Sequence, residues 1–133
     1  MKDSNKKIMF TACVLGALTI AIGAFGAHGL KSLVSPDKVT TFETGVRYQM
    51  YHVFGMLILG YTASGLKIDP KWIFRCFLGG LILFSGSIYL LALDEVLPFS
   101  TKWLGPVTPI GGLAFISGWA LWALRLWKNR KTL

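Results

Sequence analysis

Residues Ile8 to Ala27 read IMFTACVLGALTIAIGAFGA, and the same character returns at Val46–Leu66, Trp72–Leu93 and Ile110–Trp127. These four stretches hold 20, 21, 22 and 18 residues. At about 1.5 Å per residue, a helix over each crosses a hydrocarbon core of roughly 30 Å, the last only just. The fold class expected is all-α: an integral membrane four-helix bundle forming one membrane domain over residues 1–133.

Composition supports this reading. The chain is 53% hydrophobic with a mean hydropathy of +0.56. A water-soluble domain of this size alternates polar and apolar helix faces around one core. Here the helices are apolar nearly all round, as lipid surroundings require.

A net charge of +8 invites a nucleic-acid reading until its placement is considered. With four spans, both termini and the middle loop share one side of the membrane. That side carries ten basic residues (Lys2, Lys6, Lys7, Lys67, Lys71, Arg75, Arg125, Lys128, Arg130 and Lys131) against Asp3 and Asp69. The other carries four (Lys31, Lys38, Arg47 and Lys102) against Asp37, Glu43, Asp94 and Glu95. The excess follows the positive-inside rule and puts both termini in the cytoplasm. No soluble basic surface remains for nucleic acid.

Lys6-Lys7 before an apolar run resembles a signal peptide, with Ala24-Phe25-Gly26 as a cleavage site. The run is longer than a signal core, and its removal would disturb the charge asymmetry, so it is read as a retained first helix. Cys13 and Cys76 fall near cytoplasmic, reducing helix ends and are expected as free apolar packers.

The connections carry their own signals. Asp69-Pro70 makes the middle loop a tight turn between antiparallel neighbours. Ser35-Pro36-Asp37 reads as a helix start, with Ser35 as N-cap. Val39, Phe42 and Val46 then recur at helical spacing, which predicts a short amphipathic helix on the outer surface, bending at Gly45 into the second span. Thr108-Pro109 repeats the device before the fourth span, with Thr108 capping. Trp72, Trp127 and Trp103 suit interfacial belts.

Small residues predict where helices approach closely: Ala17 with Ala21, Gly23 with Ala27, Gly79 with Gly86, and Gly111, Ala114 and Gly118. Such stripes serve contacts within the bundle or a homo-oligomer or larger membrane partner equally well.

The polar residues cluster. His28 ends the first span, Glu43, Arg47, Tyr48, Tyr51 and His52 open the second, and Tyr89 closes the third, all toward the outer side. Glu43 and Arg47 are four apart in the favourable acid-first order. Tyr48 and His52 share a face, and His52 sits roughly 9 Å beyond Val46, too deep for a surface residue. Ionisable groups at such depth are costly and face the bundle interior. If His28 packs on that face, the group binds an anionic or quinone-like headgroup or relays a proton. The alternative is structural: interfacial arginine and tyrosines, with histidines bonding helix-end carbonyls.

Sharper chemistries find less support. Two histidines can hold a haem axially, but no Cys-x-x-Cys-His attachment sequence is present. Zinc needs further ligands, and Glu43 alone is near. Phe84-Ser85-Gly86-Ser87 follows no strand and reads as close packing, not a nucleophile elbow. No phosphate loop occurs. No cofactor, metal or enzymatic activity is expected.

Four segments in order carry a resemblance: Gly23–Leu30 (GAFGAHGL), Gly45–His52 (GVRYQMYH), Phe84–Leu93 (FSGSIYLLAL) and Gly105–Gly112 (GPVTPIGG) running on to Gly118-Trp119. Together they resemble the YgdD-like family of small bacterial inner-membrane proteins, also called domain of unknown function 423. The resemblance implies a small multi-span inner-membrane protein and no particular reaction, substrate or cofactor. It leaves two functions open: an accessory protein that packs with itself or larger membrane partners, or a binder or carrier of a small solute, ion or lipid.

Overall fold

A computed structural model describes residues 1–130, so Lys131 in the basic count above lies outside the described residues. Those residues form four helical rods and no strand. The first is α1 (Asp3–Ala27), followed by a short 3-10 turn at Leu30–Ser32 and by α2 (Pro36–Thr62). The third rod is α3 (Lys71–Gly80), a π turn (Leu81–Ser85) and α4 (Gly86–Ala92) run together. A 3-10 turn at Lys102–Leu104 precedes α5 (Val107–Asn129). Three of the rods, Asp3–Ser32, Lys71–Ala92 and Lys102–Asn129, are long and apolar enough to cross a membrane. The run around Val46–Leu66 is not among them, because Arg47, Tyr48, Gln49, Tyr51 and His52 crowd its first third.

Helices suit this sequence because lipid supplies no partner for a bare peptide group. The apolar surface left outward agrees with that solvent: Phe10 is 71% and Ile20 68% exposed. α1 touches the rest of the molecule along one stripe. Ile8, Ala12, Thr19 and Gly26 are buried on α2, while Gly16 and Gly23 lie against Val53 and Val46. On α2, Gly60 receives Met9 and the Asn5 carbonyl. Thr19 spends its hydroxyl on the Leu15 carbonyl at 2.6 Å, leaving no free polar group in the seam.

Two departures from expectation concern α2. No separate surface helix exists: α2 runs unbroken, and Gly45 is not a bend. Gly45 is there for closeness, since a Cβ would lie 2.7 Å from the Tyr89 ring and 3.0 Å from Ile88. The predicted amphipathic segment is the first turns of α2. Its apolar side, Val39 and Phe42, covers the bundle end against Leu30, Val34 and Ala92.

The caps differ as well. Ser35 has N-cap backbone geometry, yet its hydroxyl donates to Glu95 Oε1 at 2.7 Å. α5 starts earlier than expected, at Val107, and Thr108 shares a 2.6 Å hydrogen bond with Ser87 instead of capping. In both cases a partner from another element outbids the local backbone.

Close packing of α5 on the third rod relies on three glycines. A Cβ on Gly111 would collide with the Phe84 backbone nitrogen, so α5 meets the backbone of the π turn itself. Gly118 admits the Phe77 ring, and Gly80 admits Phe115. Gly79, expected with Gly86 to mark a close helix approach, has nothing within 4 Å, and Gly86 has only the Leu81 carbonyl at 4.0 Å. The π turn inserts an extra residue between them, so seven-residue spacing no longer returns to one face. On α1 the buried position is Gly26, and the expected Ala27 is exposed.

Candidate functional site

The N-terminal half of α2 sorts its side chains by helical phase. Gly45, Gln49, His52, Val53 and Met56 turn inward and are buried. Glu43, Arg47, Tyr48 and Tyr51 are exposed. Arg47 and His52 are five residues apart, a rotation of roughly 140°, so they cannot serve one ligand from the same face.

His52 is the centre of the inward group, with 4% of its surface exposed. Its ring stacks on Phe115 at 3.5 Å and 10°, and meets Phe77 edge-on at 5.2 Å. Nδ1 donates to the Tyr48 carbonyl at 2.7 Å. Nε2 accepts from the Trp119 indole N–H at 3.1 Å. These partners assign a neutral tautomer with both nitrogens engaged. No lone pair is left for haem iron or zinc.

A ladder of hydrogen bonds rises from this ring toward the start of α2. Tyr89 donates to Gln49 Oε1 at 2.7 Å, Ser85 donates to the Gly45 carbonyl at 2.8 Å, and Ser87 meets Thr108. Each rung joins two helical segments. Sequence reasoning passed over Gln49, Phe115 and Trp119. Gln49 was detectable as the polar residue three before His52 on the same face. The aromatic partners on α5 carried no local signal, since their role depends on which helix lies opposite.

The other candidates are dispersed. His28 is exposed, with Nδ1 3.2 Å from the Ala24 carbonyl of its own helix. Glu43 and Arg47 are exposed and, among the described residues, form no ion pair. They line a shallow groove of about 340 Å³ with Gly23, Gly26, Phe42 and Val46. Tyr48 packs on Tyr51 at 5.7 Å and on Phe84 at 4.8 Å. The six residues therefore divide between a core and two surfaces.

Both ends of the bundle are clasped by polar contacts absent from the expected site. At the end where α2 begins, Ser35 donates its N–H and hydroxyl to Glu95, Lys38 reaches the Leu91 carbonyl, and Thr101 donates twice to Asp94. Those bonds hold both carboxyls below the ordinary range, through Thr101 for Asp94 and Ser35 for Glu95. At the opposite end Arg125 binds the Asp69 carbonyl and carboxylate, Asn129 binds the Leu66 and Lys67 carbonyls, and Asn5 donates to Ser64.

Apolar helical rods, an outward hydrophobic surface and polar side chains paired between the helices define a small all-helical membrane protein. Within that class the chain belongs to the family described as protein of unknown function DUF423, whose profile matches residues 22–112. It is 40% identical over 119 residues to a UPF0382 membrane protein of Staphylococcus haemolyticus, covering 86% of this chain and 93% of the relative. It is 35% identical over 117 residues to the UPF0382 membrane protein YwdK of Bacillus subtilis, covering 81% and 89%. No solved structure matches it.

Proposed function

We propose that this chain is a four-span accessory protein of the bacterial cytoplasmic membrane, without enzymatic activity, which packs with itself or with larger membrane proteins. The observation that carries this reading is His52. The deepest ionisable group of the expected site spends both ring nitrogens on the protein and serves as a joint between α2 and α5. α2 is the fourth span in this reading. Its 27 residues reach about 40 Å, and its polar inward side is tolerated because the neighbouring helices satisfy it. The basic excess at the end holding α1's start and α5's finish favours cytoplasmic termini.

Gly111 and Gly118 are consumed inside the bundle, so they are unsuited to a subunit contact. Cys13, Ala17 and Ala21, four apart and exposed on α1, form a small-residue face free for one. The full chain, released gently from its membrane and weighed by native mass spectrometry, should appear as an oligomer or with a protein partner. Ala17→Leu with Ala21→Leu should reduce it to a monomer with unchanged helix content. A wild-type monomer without partner sinks the proposal. The second reading, a solute binder, retains one supporting observation: the Glu43–Arg47 groove. It requires that Arg47→Ala abolish retention of a small anion, and unchanged retention removes it.

A further inference from the structure

We infer that the cleft between α1 and α3 binds an anionic phospholipid, headgroup at the basic end of the bundle and one acyl chain along the helices. α1 packs on α2 and α3 on α5, so the two helices that begin at this end leave a cleft of about 740 Å³ between them. It is lined by the cations Lys7, Lys71 and Arg75 together with the apolar Ile8, Phe74 and Leu78. Along α3 the lining runs Lys71, Phe74, Arg75 and Leu78, so cations and hydrocarbon stand side by side within roughly 10 Å, as phosphate and the upper acyl chain do in a phospholipid.

Charge complementarity selects the occupant. Asp69, the one acid lining the cleft, is already committed: Oδ1 accepts the Lys71 N–H at 3.1 Å and Oδ2 lies 3.7 Å from the Arg125 guanidinium. Lys7, Lys71 and Arg75 have no acidic partner among the described residues. The first turn of α3 carries no acid of its own, so its N–H groups beyond that of Lys71 add to the positive field of the cleft. Arg75 also lies 4.7 Å from the Trp72 ring, which holds it at headgroup depth. A zwitterionic lipid would bring an unneutralised cation into this cluster, and a free phosphate would leave the apolar wall uncovered.

The assignment of this end to the cytoplasmic leaflet rests on the proposed topology; the cleft itself does not. The test is native mass spectrometry of the full chain in mild detergent with phosphatidylglycerol or phosphatidylcholine of identical acyl chains. Phosphatidylglycerol should be retained preferentially. Lys7→Gln, Lys71→Gln and Arg75→Gln should each weaken retention about fivefold. Lys6→Gln, Lys67→Gln and Lys128→Gln, which change charge equally outside the cleft, should not. Equal retention of the two lipids, or equal loss in both sets of variants, overturns the inference, as does displacement by soluble glycerol phosphate at the lipid's own concentration. Should the cleft variants misfold, photoactivatable phosphatidylglycerol on the wild type decides: adducts must concentrate on Phe74 and Leu78, and adducts spread evenly over α5 overturn the site. The same spectra report oligomeric state, so a monomer that keeps its phosphatidylglycerol refutes the packing function and leaves the cleft standing.

Discussion

At the residue scale, contact distance decides which small or polar residue matters. Gly111 meets backbone, which cannot rotate aside, whereas Gly79 meets nothing. Gly111→Ala should therefore destabilise by about 3 kcal/mol or more, at the upper end of overpacking costs, because α5 must lift off the π turn. Gly79→Ala should be neutral or slightly stabilising, since alanine is the better helix former by about 1 kcal/mol. Thermal unfolding of the two variants in the same detergent checks the contrast, and equal losses would refute the seam. His52→Ala removes a stacked ring and orphans the Trp119 N–H, for an expected loss of about 2–4 kcal/mol. His52→Gln should recover part of that loss if the Trp119 bond contributes, and none if only ring volume counts. The depth of His52 was legible in the sequence from its distance beyond Val46. Its partners were not, because Phe115 and Trp119 lie more than sixty residues away and meet it only when α5 crosses α2.

At the element scale, polar clasps and a register shift set how the rods meet. Asp94 and Glu95 bind the N–H and hydroxyl groups of Thr101 and Ser35 as carboxylates. Because their folded-state values lie below the ordinary carboxylate value of about 4, the clasp's stabilisation is fully present above that value. It is lost as pH falls through the depressed values. Spin labels at the exposed Leu33 and Val96 should show one narrow distance at neutral pH and a broad distribution in acid. Asp94→Asn with Glu95→Gln should be broad at both. A narrow acid distribution in the wild type would show that apolar contacts alone hold this end. The other end has a backbone cost of its own: Lys67 has φ of 51°, in the left-handed region that favours glycine. Asn129 binds its carbonyl there, so Lys67→Gly should preserve the turn and raise stability by up to about 1 kcal/mol, read from the unfolding midpoint. Helix existence was legible because apolar length demands it. The unbroken α2 and the π turn were not, because Gly45 and Gly86 look alike in sequence whether a glycine bends a helix or admits a neighbour.

At the scale of the whole molecule, the proposed topology predicts opposite exposure of the two bundle ends. In a background of Cys13→Ser and Cys76→Ser, Lys128→Cys should react with an impermeant maleimide only from the cytoplasmic side, and Ser100→Cys only from outside. Reaction of both from one side would deny the single crossing by α5 between them. The amino-acid sequence by itself determined the helical class, the lipid environment and the segregation of charge, since these follow from length, hydropathy and count, which need no neighbour. Membership of the family was equally legible in four ordered motifs. Only the tertiary structure decided that His52 is a joint, that Glu43 and Arg47 face elsewhere, that Gly80 replaces Gly79 in the seam, and that Lys7 and Arg75 share a cleft. Each of these depends on helix rotation and crossing. Contacts a few ångströms long, between residues far apart in the chain, set that rotation, and no local pattern encodes it.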